Sequence, residues 1–195
     1  MFTGIVEEKG IVRSISQNLD GLIVDIQGSL IFNDLNINDS VSCSGICLTV
    51  VKIKDNIFSV QMVDETIKRS NAGNWKKGTQ INLERALLPT TRLGGHFIQG
   101  HIDSIISVIK VYEKDRSAWM RFELENSFEK YIVQKGSIAL DGVSLTVAKK
   151  NAKDFEVAVI PHTMELTTFG SLKVGCTVNL EVDMMAKYLE NLIKR

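Results

Sequence analysis

The chain is written twice. Displaced by 97 positions it falls on itself without a gap: Ser44-Gly45-Ile46-Cys47-Leu48-Thr49-Val50 lies over Asp141-Gly142-Val143-Ser144-Leu145-Thr146-Val147, Thr66 over Thr163, and Asn82-Leu83-Glu84 over Asn179-Leu180-Glu181. About 14 identities occur in the roughly 45 aligned positions from Ser42 to Ala86. A period this long means duplicated domains rather than a solenoid. With one residue of slack, Gly4-Ile5-Val6 falls on Gly100-His101-Ile102, so both halves begin alike. A chain of 195 residues therefore divides into two small domains, and at 44% hydrophobic each can bury a core.

Each half reads as strands. Ile11 to Ile15, Leu22 to Ile26, Val41 to Ile53, Ile57 to Val63 and Gln80 to Ala86 are short apolar or alternating runs separated by Gly, Asn and Asp. The second half offers Asp103 to Tyr112, Ala118 to Leu124, Gly136 to Ala148, Phe155 to Ile160 and Thr177 to Val182. This pattern predicts an all-β chain of two closed or nearly closed antiparallel barrels. Short helices are expected at Asp64 to Ala72, at Thr163 to Phe169, and from Ser127, as N-cap, to Gln134. The junction Leu87 to Gly95 carries Pro89 and two glycines, which sets the expected units at 1–92 and 93–183. The remaining 184–195 reads as one amphipathic helix. Met184, Met185, Tyr188, Leu189, Leu192 and Ile193 share a face, with Lys187, Glu190 and Lys194 opposite. That apolar face either packs along its own barrel or meets helices of other subunits.

Several classes are excluded. Lys plus Arg and Asp plus Glu both total 23, so no net field draws nucleic acid or an acidic membrane. No apolar run approaches the length of a bilayer span. Met1 to Val6 lacks the basic and apolar regions of a secretory signal, so the expectation is a soluble, cytoplasmic protein. The three cysteines, an odd count, argue against a disulfide framework. Read as one strand, SVSCSGICLTV separates Cys43 and Cys47 by roughly 13 Å at ~3.3 Å per residue, too far to bridge. No second Cys/His pair stands at metal-ligand spacing.

Nucleotide loops, serine-hydrolase elbows and zinc-protease helices are missing. What remains is the Gly/His-rich stretch GGHFIQGHID and the two triplets Cys47-Leu48-Thr49 and Ser144-Leu145-Thr146. First and third residues of a strand share a face, so each triplet offers either paired hydrogen-bonding groups to a pocket or β-formers to a core. The repeats also differ: Cys47 against Ser144, Ser44 against Asp141, Ile5 against His101. Two related pockets with different reactive groups suit a reaction in which two copies of one substrate play different parts.

Six segments, MFTGIVEEKG, SGICLTV, GGHFIQGHID, KGSIALDGVSLTV, IPHTMELTT and NLEVDMMAKYLE, run in order along the whole chain. Together they resemble the riboflavin synthase family of the duplicated-barrel type. The resemblance implies two six-stranded Greek-key barrels and a C-terminal helix that assembles a homotrimer. It implies an enzyme that takes two molecules of 6,7-dimethyl-8-ribityllumazine per site, needs no cofactor or metal, and has lumazine synthase as a possible partner. The working site forms between the first barrel of one subunit and the second barrel of another. By resemblance the first-barrel contacts are Gly4, Ile5, Val6, Cys47, Leu48, Thr49, Gln61, Met62, Val63, Asp64, Glu65 and Thr66. Those of the second barrel are Gly100, His101, Ile102, Lys135, Ser144, Leu145, Thr146, Val159, Ile160, Pro161, His162, Thr163 and Met164. Catalytic roles fall on His101 as proton carrier, on Ser144 or Cys47 as the group that adds to a ring, and on Thr146 and Asp141 as orienting groups. Asp183 is either a helix N-cap or a site residue.

Overall fold

The structure, a computed structural model, describes residues 1–19 and 21–193; Lys194, placed above on the polar side of the last helix, lies outside them. In the first half β1 (Glu8–Asn18), β2 (Gly21–Gln27), β3 (Ser40–Cys43), β4 (Ile46–Lys54), β5 (Ile57–Met62) and β6 (Gln80–Arg85) form a closed antiparallel barrel. The order is β1-β2-β5-β4-β3-β6, and β6 closes back on β1. The second half repeats it with β7 (Ser104–Lys114), β8 (Ser117–Glu123), β9 (Ser137–Leu140), β10 (Val143–Lys150), β11 (Asp154–Val159) and β12 (Thr177–Val182). In each, three consecutive strands return to a fourth laid beside the first of them, the Greek-key order. Closure removes the free sheet edges that would otherwise invite association.

The long apolar runs Val41 to Ile53 and Gly136 to Ala148 are each two strands, not one. Ser44 and Gly45 (φ 47° and 84°), like Asp141 and Gly142 (φ 44° and 77°), take the left-handed conformation at the tip of a hairpin, as a two-residue primed turn demands. Cys43 and Cys47 therefore lie on paired strands, Cys43 opposite Ile46 and Ser42 opposite Cys47, and the in-line spacing does not apply. All three thiols are free. Burial pushes the Cys43 thiol well above its ordinary value.

The helices are shorter than their patterns suggest. α1 (Asp64–Arg69) and α2 (Pro161–Leu166) stop where Ser70 and Thr167 turn extended, and each hydroxyl accepts an N–H of a following 3-10 turn, from Ala72 and Phe169. Pro161 at the first helical position starts α2 ahead of Thr163. Ser127 caps nothing: only a 3-10 turn, Glu129–Tyr131, forms there, and it is preceded by Phe128.

A polar seam joins the barrels. Asn82 Nδ2 donates to the Asp141 carbonyl and Asn179 Nδ2 to the Ser44 carbonyl, both at 2.9 Å. Asn82 Oδ1 receives the N–H of Thr168, while Asn179 Oδ1 receives that of Asn71. The four contacts are one pattern repeated under the duplication, and they satisfy buried groups that would each cost on the order of 1–3 kcal/mol if left bare.

α3 (Met184–Ile193) is attached by its polar side. Lys187 meets Asp103 at 2.7 Å, and Glu190 binds Lys130 and Tyr131 of the second barrel. Met185, Tyr188, Leu189, Leu192 and Ile193 are all more than half exposed. Among the described residues no helix is long and apolar enough to cross a membrane.

Candidate active site

The two lead-in turns cross over. Gly4 belongs to the first repeat, yet its carbonyl receives the N–H of Ser144 in the second barrel at 2.9 Å. Gly100 belongs to the second, yet its carbonyl receives the N–H of Cys47 in the first, also at 2.9 Å. Val6 is built into the second barrel's core, and Ile102 packs on the first barrel's core. Gly4 and Val6, expected with the first barrel, thus pack on the second, and Gly100 and Ile102, expected with the second, pack on the first. The cause is steric. Gly4 and Gly100 have φ of +77° and +83°, and a Cβ on either would stand 2.5 Å from the Cβ of Ser144 or Cys47. Only glycine tolerates both that conformation and that approach.

Around these contacts each barrel presents the same surface. On β4 the alternation turns Leu48 inward, leaving Cys47 half-buried and Thr49 exposed; on β10 it leaves Ser144 half-buried and Thr146 exposed. β5, paired with β4 from Val50 opposite Val60, runs through Gln61 into Val63, Asp64, Glu65 and Thr66 at the start of α1. In the second barrel stand Lys135, itself at φ 70°, and Ile160, Pro161, His162, Thr163 and Met164 leading into α2. Not every expected contact has a free side chain. Leu48, Met62, Val6 and Val159 are buried core residues, and Leu145 is partly buried against the second core.

His96 is the residue that the sequence reading left out. Its Nδ1 lies 2.7 Å from Ser144 Oγ, and it is only 9% exposed. Burial holds its pKa below the ordinary histidine value, while the Asp183 carboxylate pulls the other way. His101 is exposed on the first barrel's lead-in turn. The signal for His96 was its place in GGHFIQGHID, but no repeat partner marks it, since its equivalent falls before residue 1.

Asp141 is the expected orienting group. It is buried in the seam, where Oδ1 accepts from Asn179 N at 2.8 Å and Asn71 Nδ2 at 3.2 Å. The Asn71 bond ties this carboxylate of the second barrel to the first. Asp183 is the N-cap of α3, its Oδ1 receiving the N–H of Met185 at 2.9 Å. A cavity of about 760 Å³ opens between the junction and the first barrel, lined by Thr3, Ile5, Glu84, Arg85, Leu88 and Arg92 among others. Of the expected contacts it includes only Ile5.

Two like barrels, each receiving the lead-in turn of its sibling on the strand that carries its triplet, make this a duplicated-barrel fold. The lumazine binding domain profile matches residues 3–86 and again 99–183. Riboflavin synthase of Mycobacterium bovis is 43% identical over the whole of this chain and 98% of its own length. The riboflavin synthase of Bacillus subtilis is 36% identical over the whole of this chain and 91% of its own. LumP complexed with 6,7-dimethyl-8-(1'-D-ribityl) lumazine shares the fold with a TM-score of 0.83 at 23% identity, covering 93% of this chain and 99% of that one. The chain belongs to the lumazine-binding domain family, carries the domain twice, and falls among the riboflavin synthases.

Proposed function

We propose that the chain is a riboflavin synthase. It converts two molecules of 6,7-dimethyl-8-ribityllumazine into riboflavin and 5-amino-6-ribitylamino-pyrimidinedione by moving a four-carbon unit from one to the other. One observation carries the reading: two cradles of the same build hold different reactive groups. The first has the Cys47 thiol beside the lead-in turn that carries His101, and the second has Ser144 hydrogen-bonded to His96.

A ring in the second cradle is the acceptor. His96 takes the proton of Ser144 Oγ, or of a water held by it, as that oxygen adds to the ring, and gives the proton back when the oxygen leaves as the two rings join. A ring in the first cradle is the donor, and His101 carries the proton lost from its acidic ring methyl. Thr49 and Thr146 give each ring a hydroxyl contact, and backbone groups along the strand ends pair with the polar ring edges. Holding the two rings face to face supplies roughly 7–11 kcal/mol of the barrier reduction.

The pair of rings comes together where the first barrel of one subunit meets the second barrel of another. The inverted docking of α3 supports a homotrimer, because its polar side is spent on its own barrel and its apolar side is left for neighbouring copies. The same reading places the protein in the cytoplasm, with lumazine synthase as a partner that supplies the substrate. The test is direct. Purified protein incubated with the lumazine alone yields riboflavin and the pyrimidinedione in equal amounts, followed by fluorescence and chromatography. Tight binding without product overturns the reading and leaves a ligand carrier.

A further inference from the structure

Two buried glutamates stand at equivalent places on the last strand of each barrel, and neither has a part in the chemistry above. Glu84 on β6 is 5% exposed and Glu181 on β12 is 2% exposed. Glu84 accepts the N–H and hydroxyl of Thr3 at 2.7 and 2.6 Å and the N–H of Gly4 at 3.0 Å. Glu181 accepts three successive backbone N–H groups, those of Gln99 at 2.7 Å, Gly100 at 2.9 Å and His101 at 3.1 Å. Each carboxylate therefore grips one lead-in turn by its main chain. Each turn, as shown above, is laid not on the barrel that grips it but on the other.

We propose that Glu84 and Glu181 are crossed positioning residues: each is rooted in one barrel and sets the geometry of the opposite barrel's cradle. Glu181 holds Gly100 against Cys47 and fixes the backbone that carries His101. Glu84 holds Gly4 against Ser144. A carboxylate suits the task because both oxygens are acceptors, so three donors converge on one side chain without a competing hydrogen. Charge-assisted bonds to N–H groups are roughly twice as strong as neutral ones. An amide in the same place would turn an N–H₂ against one arm of the turn. Burial pushes both carboxyls above the ordinary glutamate value and the donated N–H groups pull them back, as expected for carboxylates whose solvent has been replaced by backbone. The assignment rests on reading the two surfaces as ligand cradles, but the contacts themselves are independent of turnover.

The experiment uses thiols as reporters in the full-length protein. Cys47 is half-buried beneath Gly100, Cys176 is half-buried elsewhere, and Cys43 is fully buried. Alkylation is followed site by site by mass spectrometry. Glu181→Gln is expected to raise the rate at Cys47 about tenfold relative to Cys176, as the loosened turn opens locally, while Glu84→Gln leaves that ratio unchanged. In a Ser144→Cys background the dependence reverses: Glu84→Gln exposes the new thiol and Glu181→Gln does not. Equal effects of both substitutions on both thiols, or none, overturn the crossed assignment. Should either variant fail to fold, hydrogen exchange on the unaltered chain decides: the amides of Gly4 and of Gln99 to His101 are slow if clamped, and fast exchange there overturns the proposal. A chain that makes no riboflavin but passes the thiol test loses only the functional reading.

Discussion

Gly45 and Gly142 face each other across the seam, so that a Cβ added to either would stand 2.7 Å from the backbone nitrogen of the other. Both also have positive φ, at 84° and 77°. Gly45→Ala and Gly142→Ala thus combine backbone strain with forced separation of the barrels. Gly78, at φ +91° with open space around it, isolates the first effect. Denaturant unfolding should show a loss of about 1 kcal/mol for Gly78→Ala and on the order of 2–4 kcal/mol for either seam variant. Equal losses at all three positions mean the seam does not hold the barrels closely.

Asp141 makes stability depend on pH. Burial raises its pKa from 3.8 to about 7, against hydrogen bonds from Asn179 and Asn71 that favour the anion. The folded chain therefore keeps this proton at pH values where the unfolded chain has lost it. Stability from this group is highest below pH 4, falls as pH rises toward 7, and is flat above. Asp141→Asn retains an oxygen for both donors and carries no charge. The variant should match the parent near pH 4 and exceed it at pH 8 by on the order of 2–4 kcal/mol. Unfolding curves at both values settle the matter, and parallel pH profiles count against it.

The Ser144–His96 pair makes a kinetic prediction. Because burial lowers the His96 pKa, turnover should persist on the acid side of the ordinary histidine range before protonation stops it. His96→Gln should lower kcat by about 10²-fold with a smaller effect on KM, and remove that acid limb. A pH–rate profile unchanged by the substitution takes His96 out of proton transfer.

The exposed face of α3 predicts assembly. Leu189→Glu with Leu192→Glu places charge on two residues that are 55% and 67% exposed in the single chain. Sedimentation should show three-chain particles for the parent and single chains for the double variant, with barrel circular dichroism retained. Single chains for the parent remove the helix-mediated trimer.

Much of the barrel was legible because duplication and alternation are local or simply periodic, and Thr177 to Val182 was read with its observed bounds. The hairpin tips were in reach as well: Asp141-Gly142 is a strong hairpin signal, but the apolar runs on either side hid it. The crossing was not legible. Nothing near Gly4 specifies Ser144, 140 residues away, because that pairing is a tertiary contact between the two folded units. The burial of Asp141 between Asn179 and Asn71 was hidden for the same reason, since those partners come from distant parts of the chain. His96 escaped because reasoning by repeats is blind to a residue with no sibling.

The exchange of lead-in turns has a genetic corollary. Each triplet-bearing strand is met by a turn from the other copy of the duplicated unit, so the two copies are structurally coupled. A change near residue 4 is felt by whatever rests on residues 144 to 146, and one near residue 100 by whatever rests on 47 to 49. The two copies were free to diverge in what they do, but only as a couple.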